Sequence, residues 1–454
     1  MRLRTLPPAL ALLAVLVVFG LPARGQSNDE IQTGAQFNFS TPGARSLGLG
    51  GAFLGLADDA TAAYANPAGL AQLAASEVSV EGRSWRFESR FAAGGHTPET
   101  GVTGIGIDTA GGVQEGRIAR ETAAASFLST VYSGGRWAIA LYRHQLADYE
   151  AAIDSQGPFV GGRGNTARTQ PVRSQLDLEI WHVGAAGSWR VTDGLFLGAS
   201  LSSYDFALSS RTERFARNPP TGDPVRDGLT GNHFGPADFL PENLSNIQTQ
   251  DGEDRDWGVN LGLLWKANGQ WSVGAVYRQG PDFGFRAEVV DGPRGNRPGQ
   301  VREDLGGSGL FHVPDVFGVG VVWRASDELT FAFDWDHVRY SALTEDLVNV
   351  LRTSGSEPEH FAVDDANELH LGCEWQTLAS KLPFAVRLGA WWDPDHRIRY
   401  QGTNELLLAR FRRGEDELHL AGGLGVVIHR LQLDLAADVS ETTRTFSLSA
   451  VARF

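Results

Sequence analysis

From about residue 76 onward the chain alternates apolar and small or polar positions. In "DWGVNLGLLWKANGQWSVGAVYRQ", residues 256–279, Val259, Leu261, Leu263 and Trp265 alternate with Gly258, Asn260 and Gly262. The chain then turns at Asn268-Gly269, and Trp271, Val273 and Ala275 lead away. A period of two predicts a strand with one apolar face, and Asn-Gly between two such runs predicts a tight hairpin. The same unit recurs around Asp193-Gly194, Ser326-Asp327 and Ala379-Ser380. Tight turns fall near 133–135, 191–194, 267–270, 325–328, 378–382 and 429–431, and long polar loops near 148–173, 210–253, 288–313, 342–365 and 399–414. Short connections at one end and long ones at the other are the pattern of a barrel that crosses an outer membrane.

Tryptophan placement sharpens this. Trp189, Trp265, Trp323 and Trp375 stand shortly before a tight turn, and Trp137 and Trp271 shortly after one. Indole rings collect where water meets lipid, so a ring of them at one end of the hairpins predicts an interfacial girdle. A secreted sandwich or propeller would also alternate, but its strands usually run ~5–6 residues. Many runs here exceed the ~9–11 residues that cross a bilayer. The chain closes with "RTFSLSAVARF", which places Phe446, Leu448, Ala450, Ala452 and Phe454 on one face. A closing strand ending in Phe resembles the terminal signature of bacterial outer-membrane proteins. The expected fold class is an all-β transmembrane antiparallel β-barrel.

The strand number is constrained by parity. Fifteen candidates can be marked, yet two termini on the same side require an even count. Followed back from Phe454, the up–down order holds until residues 98–132. There, two segments separated by "AGGVQEGR" are expected to form one long, bent strand, which leaves fourteen with the first near 76–91.

Two leading segments differ from the rest. Residues 1–25 carry Arg2 and Arg4, an apolar stretch from Leu6 to Leu21 and then "PARGQ", the layout of a secretory signal peptide cut near Gly25–Gln26. The apolar stretch is short for a spanning helix, which needs ~20 residues. Residues 26–75 are rich in Gly, Ala and short polar side chains, and include "GGAFLGLADDATAAYANPAGLAQL" at 50–73. A fourteen-stranded barrel has a lumen too wide for its own wall side chains to fill. Residues 26–75 are therefore expected to be a hatch or plug, and residues 76–454 the barrel with its external loops. Asp58 is expected to cap the run "DATAAYA", with Pro67 ending it and Gly48, Gly50 and Gly51 allowing sharp bends. A disordered leader would be less apolar than "AFLGL".

Composition removes several function classes. The net charge is −15, and residues 1–25 hold three of the 39 basic residues and none of the 54 acidic ones, so their removal takes it to −18. Nucleic acid is an unsuitable partner for such a surface. The single cysteine, Cys373, allows neither an internal disulfide framework nor a cysteine-based metal cluster. None of the 11 histidines stands at a spacing that marks a nucleophile, a general base or a metal site. The chain is read as a non-enzyme, with no cofactor and no metal implied.

On the alternation, Asp334, Asp336, Glu368, His370, Glu374, Arg387, Asp434 and Asp438 face inward. Such a set can be a charged ladder that holds the plug to the wall, a site for a polar head group, or ordinary solvated lumen residues. The external loops offer apolar side chains for capture: Phe234, Phe239, Leu240 and Leu244 in 210–253, and Leu310 and Phe311 in "GLFHVP". The alternative is that these merely hold the loops together over the barrel mouth.

At "GARSLGLGGAFLGLADDATAAYANPAGLAQL" the sequence resembles the N-terminal hatch of the FadL-type outer-membrane transporters, the OMPP1/FadL/TodX family. The resemblance rests on Gly50-Gly51, Ala57-Asp58-Asp59-Ala60 and Asn66-Pro67-Ala68. It implies passive uptake of hydrophobic small molecules, such as long-chain fatty acids or neutral aromatics, across a cell outer membrane. Ligand would be captured by external loops and released by a shift of the hatch, often sideways through the wall. An inward set that is mostly acidic suits a fatty-acid carboxylate poorly and leaves neutral hydrophobics open. The chain is also similar to the PorV/PorQ branch, whose barrels partner a protein secretion system. On that alternative, a secreted protein or secretion-system component would be the partner.

Overall fold

The computed structural model describes residues 39, 41–98, 100–160, 167–216, 239–303, 306–344, 360–377 and 382–454. The expected signal peptide, the turn at Ala379-Ser380 and Phe234 lie outside the described residues.

Fourteen antiparallel strands close the barrel. They are β1 (Glu77–Gly95), β2 (Val113–Ser133), β3 (Trp137–Ser155), β4 (Val172–Arg190), β5 (Leu195–Phe215), β6 (Leu244–Lys266), β7 (Trp271–Arg278 and Asp282–Asp291), β8 (Gly307–His312 and Val316–Arg324), β9 (Leu329–Val338), β10 (Ala366–Gln376), β11 (Phe384–Asp393), β12 (Glu417–Ile428), β13 (Leu431–Val439) and β14 (Thr443–Arg453). Each strand pairs with its sequence neighbours, and β14 pairs with β1 from Glu77–Arg453 to Phe87–Thr443, which closes the sheet into a cylinder. Two strands are interrupted at prolines, which cannot donate to a ladder. Pro281 falls between the two stretches of β7 and Pro314 between those of β8. At the β7 break the carboxylates of Asp254 and Asp256 on β6 accept from Gly284 N (2.6 Å) and Asp282 N (2.9 Å) in place of backbone partners.

The side chains are arranged inside out relative to a soluble protein. Leu388, Leu420 and Leu141 on the outer face are 67%, 61% and 60% exposed, whereas Thr212 and Asp334 on the inner face are fully buried. An apolar exterior of this extent is stable only against hydrocarbon. The six tryptophans next to tight turns are all outward and 38–55% exposed. Trp137 pairs with Trp189 and Trp271 with Trp323 across neighbouring strands, which gathers them at the short-turn end.

Three sequence expectations need correction. Residues 98–112 are not part of a bent strand; β2 begins at Val113, inside "AGGVQEGR". Gly104, Gly106 and Gly112 all take positive φ, so this stretch turns back on itself as a loop, and fourteen is reached without a merger. The loops are also shorter than expected. β5 runs on to Phe215 and β6 begins at Leu244, because alternation continues beyond the bilayer with exposed Arg211, Asp251 and Glu253 in place of leucines. The third correction concerns the helix of the N-terminal segment, described next.

Residues 41–76 run inside the barrel as α1 (Ala44–Gly48), α2 (Ala62–Ala65) and a 3₁₀ turn (Pro67–Gln72). Ala44, Leu49, Phe53, Ala60, Ala65 and Leu70 are at most 1% exposed. α2 has only four residues, and Asp59 is the carboxylate at its start, where it accepts from Thr61 N at 2.9 Å. Asp58 instead pairs with Arg45, because the turn before α2 directs its side chain away from the helix. Pro67 opens the 3₁₀ turn at its first position, where its missing N–H costs nothing.

Candidate functional site

The inner wall has a belt of glycines on which the N-terminal backbone lies. Gly198 faces Gly262 across β5–β6, Gly274 faces Gly320 across β7–β8, and Gly372 faces Gly389 across β10–β11. A Cβ on Gly198 would stand 2.3 Å from the Pro67 carbonyl carbon, and one on Gly274 would stand 2.0 Å from Leu54 O. On Gly389 it would meet Gly50 N at 2.1 Å. Only hydrogen fits at such separations.

Polar fastenings reinforce this contact. Asn66, fully buried, donates its amide to Leu54 O (2.9 Å) and to Leu263 O on β6 (3.0 Å), and its Oδ1 accepts from Ala68 N (3.2 Å). Ser188 on β4 donates to Ala68 O at 2.8 Å, Asn260 on β6 to Tyr64 O at 2.7 Å, and Arg278 on β7 to Ala65 O at 2.8 Å. Sequence reading did not single out these three; their signal is a polar residue at an inward position between outward apolar ones.

The charged residues fall into two groups. Arg45 donates from Nε and NH2 to the two oxygens of Glu374 at 2.9 Å each. Glu374 in turn accepts from Arg387 Nε (2.6 Å), and Arg387 NH1 donates to Asp434 (2.7 Å). A chain of alternating sign thus runs from the N-terminal segment across β10, β11 and β13. Asp58 caps the other side of Arg45, and Asp59 lies 3.7 Å from it. Burial pushes the Asp59 carboxyl above its ordinary range, and Arg45 offsets that only in part. Higher in the lumen, Asp334 Oδ2 accepts from Phe53 N (2.6 Å) and Leu54 N (2.7 Å). His370 Nδ1 donates to Gly50 O at 2.7 Å, and Gly50 and Gly51 hold φ of +64° and +86° there. Asp336 lies beside His370, 3.8 Å from its Nε2.

Above the N-terminal segment an apolar cluster lies beside the cavity that Asp336, Glu368, Asp393 and Asp438 line. Leu176, Leu178, Ile180, Tyr204, Phe206 and Phe283 pack with Val316, Val338 and Tyr340 into one cluster, with Phe39, Phe87 and Phe311 against it. Phe206 stacks on Phe283 at 4.7 Å and meets Phe311 at 5.4 Å. Of the described loop residues expected to capture ligand, Phe311 alone joins this column. Phe239 packs edge-on against Phe215, Leu240 and Leu310 are exposed, and Leu244 is half-buried at the start of β6.

The wall itself divides beside this column. The β2–β3 ladder runs from Ser133–Ala138 up to Phe127–His144 and no further. Above it β2 continues with β1 and β3 with β4. Trp85 of β1 donates to Asp148 O at 3.3 Å and Ser89 meets the Tyr149 hydroxyl at 2.8 Å, so β1 reaches β3 behind the division. At its foot stand Phe127, Tyr142 and His144 with Tyr64 of α2, whose ring lies 4.3 Å from that of His144.

The outer membrane protein transport family (OMPP1/FadL/TodX) matches over residues 35–396. The chain belongs to the OMPP1/FadL/TodX family. It is 22% identical over 176 residues to outer membrane protein P1 of Haemophilus influenzae, a match that spans 38% of each chain. Its fold is similar to that of a Pseudomonas aeruginosa FadL homologue, with TM-score 0.63 and 14% identity over 92% of this chain and all of that one. It is also similar to the monoaromatic hydrocarbon channel CymD (TM-score 0.56, 16% identity, 92% and 99% covered). The Ralstonia pickettii toluene transporter TbuX follows with TM-score 0.52 and 17% identity over 92% of this chain and 99% of that one. As a member of this family the chain is an outer-membrane β-barrel concerned with transport, not an enzyme.

Proposed function

We propose that this protein carries neutral hydrophobic small molecules passively across the outer membrane. The observation that carries the reading is the apolar column from Phe311 through Phe283, Phe206 and Tyr204 down to Phe39, in a position where an open porin has a water-lined lumen. Apolar solutes meet Phe311, Leu310, Phe239, Leu240 and Leu244 at the mouth and move inward along the column. Gly50, Gly51, Asp58, Asp59, Asn66, Pro67 and Ala68 act as the hatch, held by the glycine belt and the charged chain. The division between β2 and β3 is the exit, opening from the foot of the column to the bilayer. Inward Asp334 and Glu374 fasten the hatch, Arg387 is taken up between Glu374 and Asp434, and Asp336 adds a negative charge, so these four offer no free cation to a carboxylate ligand, which favours neutral cargo. The named channels for monoaromatic hydrocarbon and toluene among structural neighbours agree with this class.

A second reading is a PorV/PorQ-like partner of a secretion system. The observation on its side is how closely the N-terminal segment is packed into the barrel: Ala44, Leu49, Phe53, Ala60, Ala65 and Leu70 are at most 1% exposed. Gene deletion followed by uptake assays with toluene-class aromatics and with long-chain fatty acids decides between the two. Loss of aromatic uptake supports transport. Unchanged uptake, with a secreted protein co-purifying with the barrel, moves the assignment to the partner role.

A further inference from the structure

We propose that Asp336, Glu368 and His370 form a binding site for a divalent transition-metal ion where the N-terminal segment meets the wall. Asp336 on β9 is the register partner of Glu368 on β10, and His370 is two residues along on the same inward face. His370 Nε2 lies 3.5 Å from Glu368 Oε2 and 3.8 Å from Asp336 Oδ2, and one ligand atom from each residue falls within 4.8 Å of the others.

The state of the imidazole points to a ligand. Its Nδ1 lies 2.7 Å from Gly50 O, and a carbonyl can only accept, so Nδ1 carries the proton. In the neutral ring the lone pair is then on Nε2. His370 is 5% exposed, and its Nε2 makes no hydrogen bond; neither does Asp336 Oδ1. A backbone carbonyl that fixes the tautomer of a histidine aimed at carboxylates is the outer-shell arrangement of metal sites. Two further contacts hold the donors in place. Trp391 stacks on His370 with ring centres 5.3 Å apart, and the Tyr340 hydroxyl donates to Glu368 Oε1 at 3.4 Å.

Charge argues the same way. The cavity beside the three residues is lined by Asp336, Glu368, Asp393 and Asp438, with His370 and His419 and no lysine or arginine; Asp438 is paired with His419 at 2.8 Å and Asp393 with His396 at 3.3 Å, which leaves Asp336 and Glu368 sharing His370. Two carboxylates side by side on neighbouring strands with one imidazole between them repel each other, and a dication offsets that repulsion directly. One imidazole nitrogen with two carboxylate oxygens suits zinc or manganese, at bond lengths of about 2.0–2.2 Å after small side-chain rotations. Calcium would want six or more oxygens. Because His370 also holds Gly50, the ion would brace the hatch. The site stands on its own geometry and does not depend on what passes through the lumen.

The test is metal binding by the full mature chain, untagged, in detergent. Protein stripped with chelator is dialysed against zinc, and separately against manganese, and bound metal is counted by mass spectrometry. The expected result is one ion per chain for the wild type, with affinity at least about tenfold weaker in Asp336→Asn and in Glu368→Gln. X-ray absorption should show an oxygen and nitrogen shell containing an imidazole. Heat-modifiable gel mobility reports whether each variant is folded; Asp336, the most accessible of the three, keeps the test decisive if Glu368→Gln does not fold. A wild type that retains neither metal, or zinc held undiminished by folded Asp336→Asn, overturns the proposal.

Discussion

Asn66 and Leu263 are joined across the boundary between lumen and wall: the buried side-chain amide of one donates to the backbone oxygen of the other at 3.0 Å. The same amide bonds Leu54 O, and its oxygen takes Ala68 N, so a single side chain closes the 3₁₀ turn and ties it to β6. Asn66→Ala leaves two carbonyls and an N–H without these partners, at about 1–3 kcal/mol for each group that stays unsatisfied. The expected outcome is a folded barrel with a loosened N-terminal segment. Single-channel conductance in planar bilayers and sensitivity of cells to large antibiotics should both rise. Wild-type values in both assays would count against the proposed hatch role of Asn66.

The chain Arg45–Glu374–Arg387–Asp434 makes a second, separable fastening. Breaking a buried pair by removing one partner typically costs about 3–5 kcal/mol, because the other charge stays behind. Arg45→Met and Glu374→Gln should each destabilise the protein in urea unfolding from detergent. Combined, they should cost clearly less than the two losses together, since the second change removes the orphan left by the first. Strict additivity would show that the two groups act independently.

How far this could be read from sequence depended on the range of the interaction. Period-two alternation and the tryptophans near tight turns are local signals, and they sufficed for an all-β membrane barrel; its fourteen strands followed from parity, through a merger that the structure does not contain. The β2 segment misled because "AGGVQEGR" looks like a bend within a strand, whereas positive φ at Gly104, Gly106 and Gly112 makes what precedes it a loop. Asp58 and Asp59 are adjacent and chemically alike; which one faces α2 depends on a turn that composition does not encode. Inward charges could be marked from alternation, but the partnership of Arg45 with Glu374 spans 329 residues. The glycine belt was harder still. A strand glycine reads as a weak point until register sets Gly198 opposite Gly262 and Gly372 opposite Gly389.

That belt makes its own prediction. Gly389→Val would put side-chain carbon where Gly50 N now lies 2.1 Å from an added Cβ, a distance that backbone cannot accept. β-branched residues otherwise favour strands, so the barrel itself should still assemble and shift on heating as the wild type does. The N-terminal segment should be displaced, seen as faster cleavage of residues 41–76 by added protease. Equal cleavage rates for variant and wild type would mean that the close approach is not what seats the segment.

Asp59 supplies a pH dependence whose sign follows from its surroundings. Burial holds its carboxyl above the ordinary value of 3.8, and the bond from Thr61 and the charge of Arg45 do not fully offset this. A carboxyl with a raised folded value binds more protons in the folded state, so its contribution to stability is greatest at low pH. It is lost as pH rises from about 3.8 through the raised value. Asp59→Asn keeps an oxygen to accept from Thr61 N and cannot ionise. The variant should therefore show a flatter stability profile over that window and no loss of stability at neutral pH. Parallel profiles for variant and wild type would rule Asp59 out as the source.

Leu388 tests the solvent outside the barrel. It lies mid-strand on the outer face of β11 and is 67% exposed, so it has little protein to lean on. In a water-soluble β-protein, Leu→Lys at such a position is close to neutral, since surface substitutions usually stay within about 0.5 kcal/mol. Against hydrocarbon the same change costs about 2–4 kcal/mol near the midplane and much less toward either interface. Leu388→Lys should therefore lower the urea midpoint of the barrel folded into lipid vesicles. Phe454→Lys, at the short-turn boundary and 64% exposed, should change it little. Near-neutral behaviour at both positions in vesicles would contradict a lipid-facing wall, whereas a loss at Leu388 alone would fix the depth at which β11 crosses.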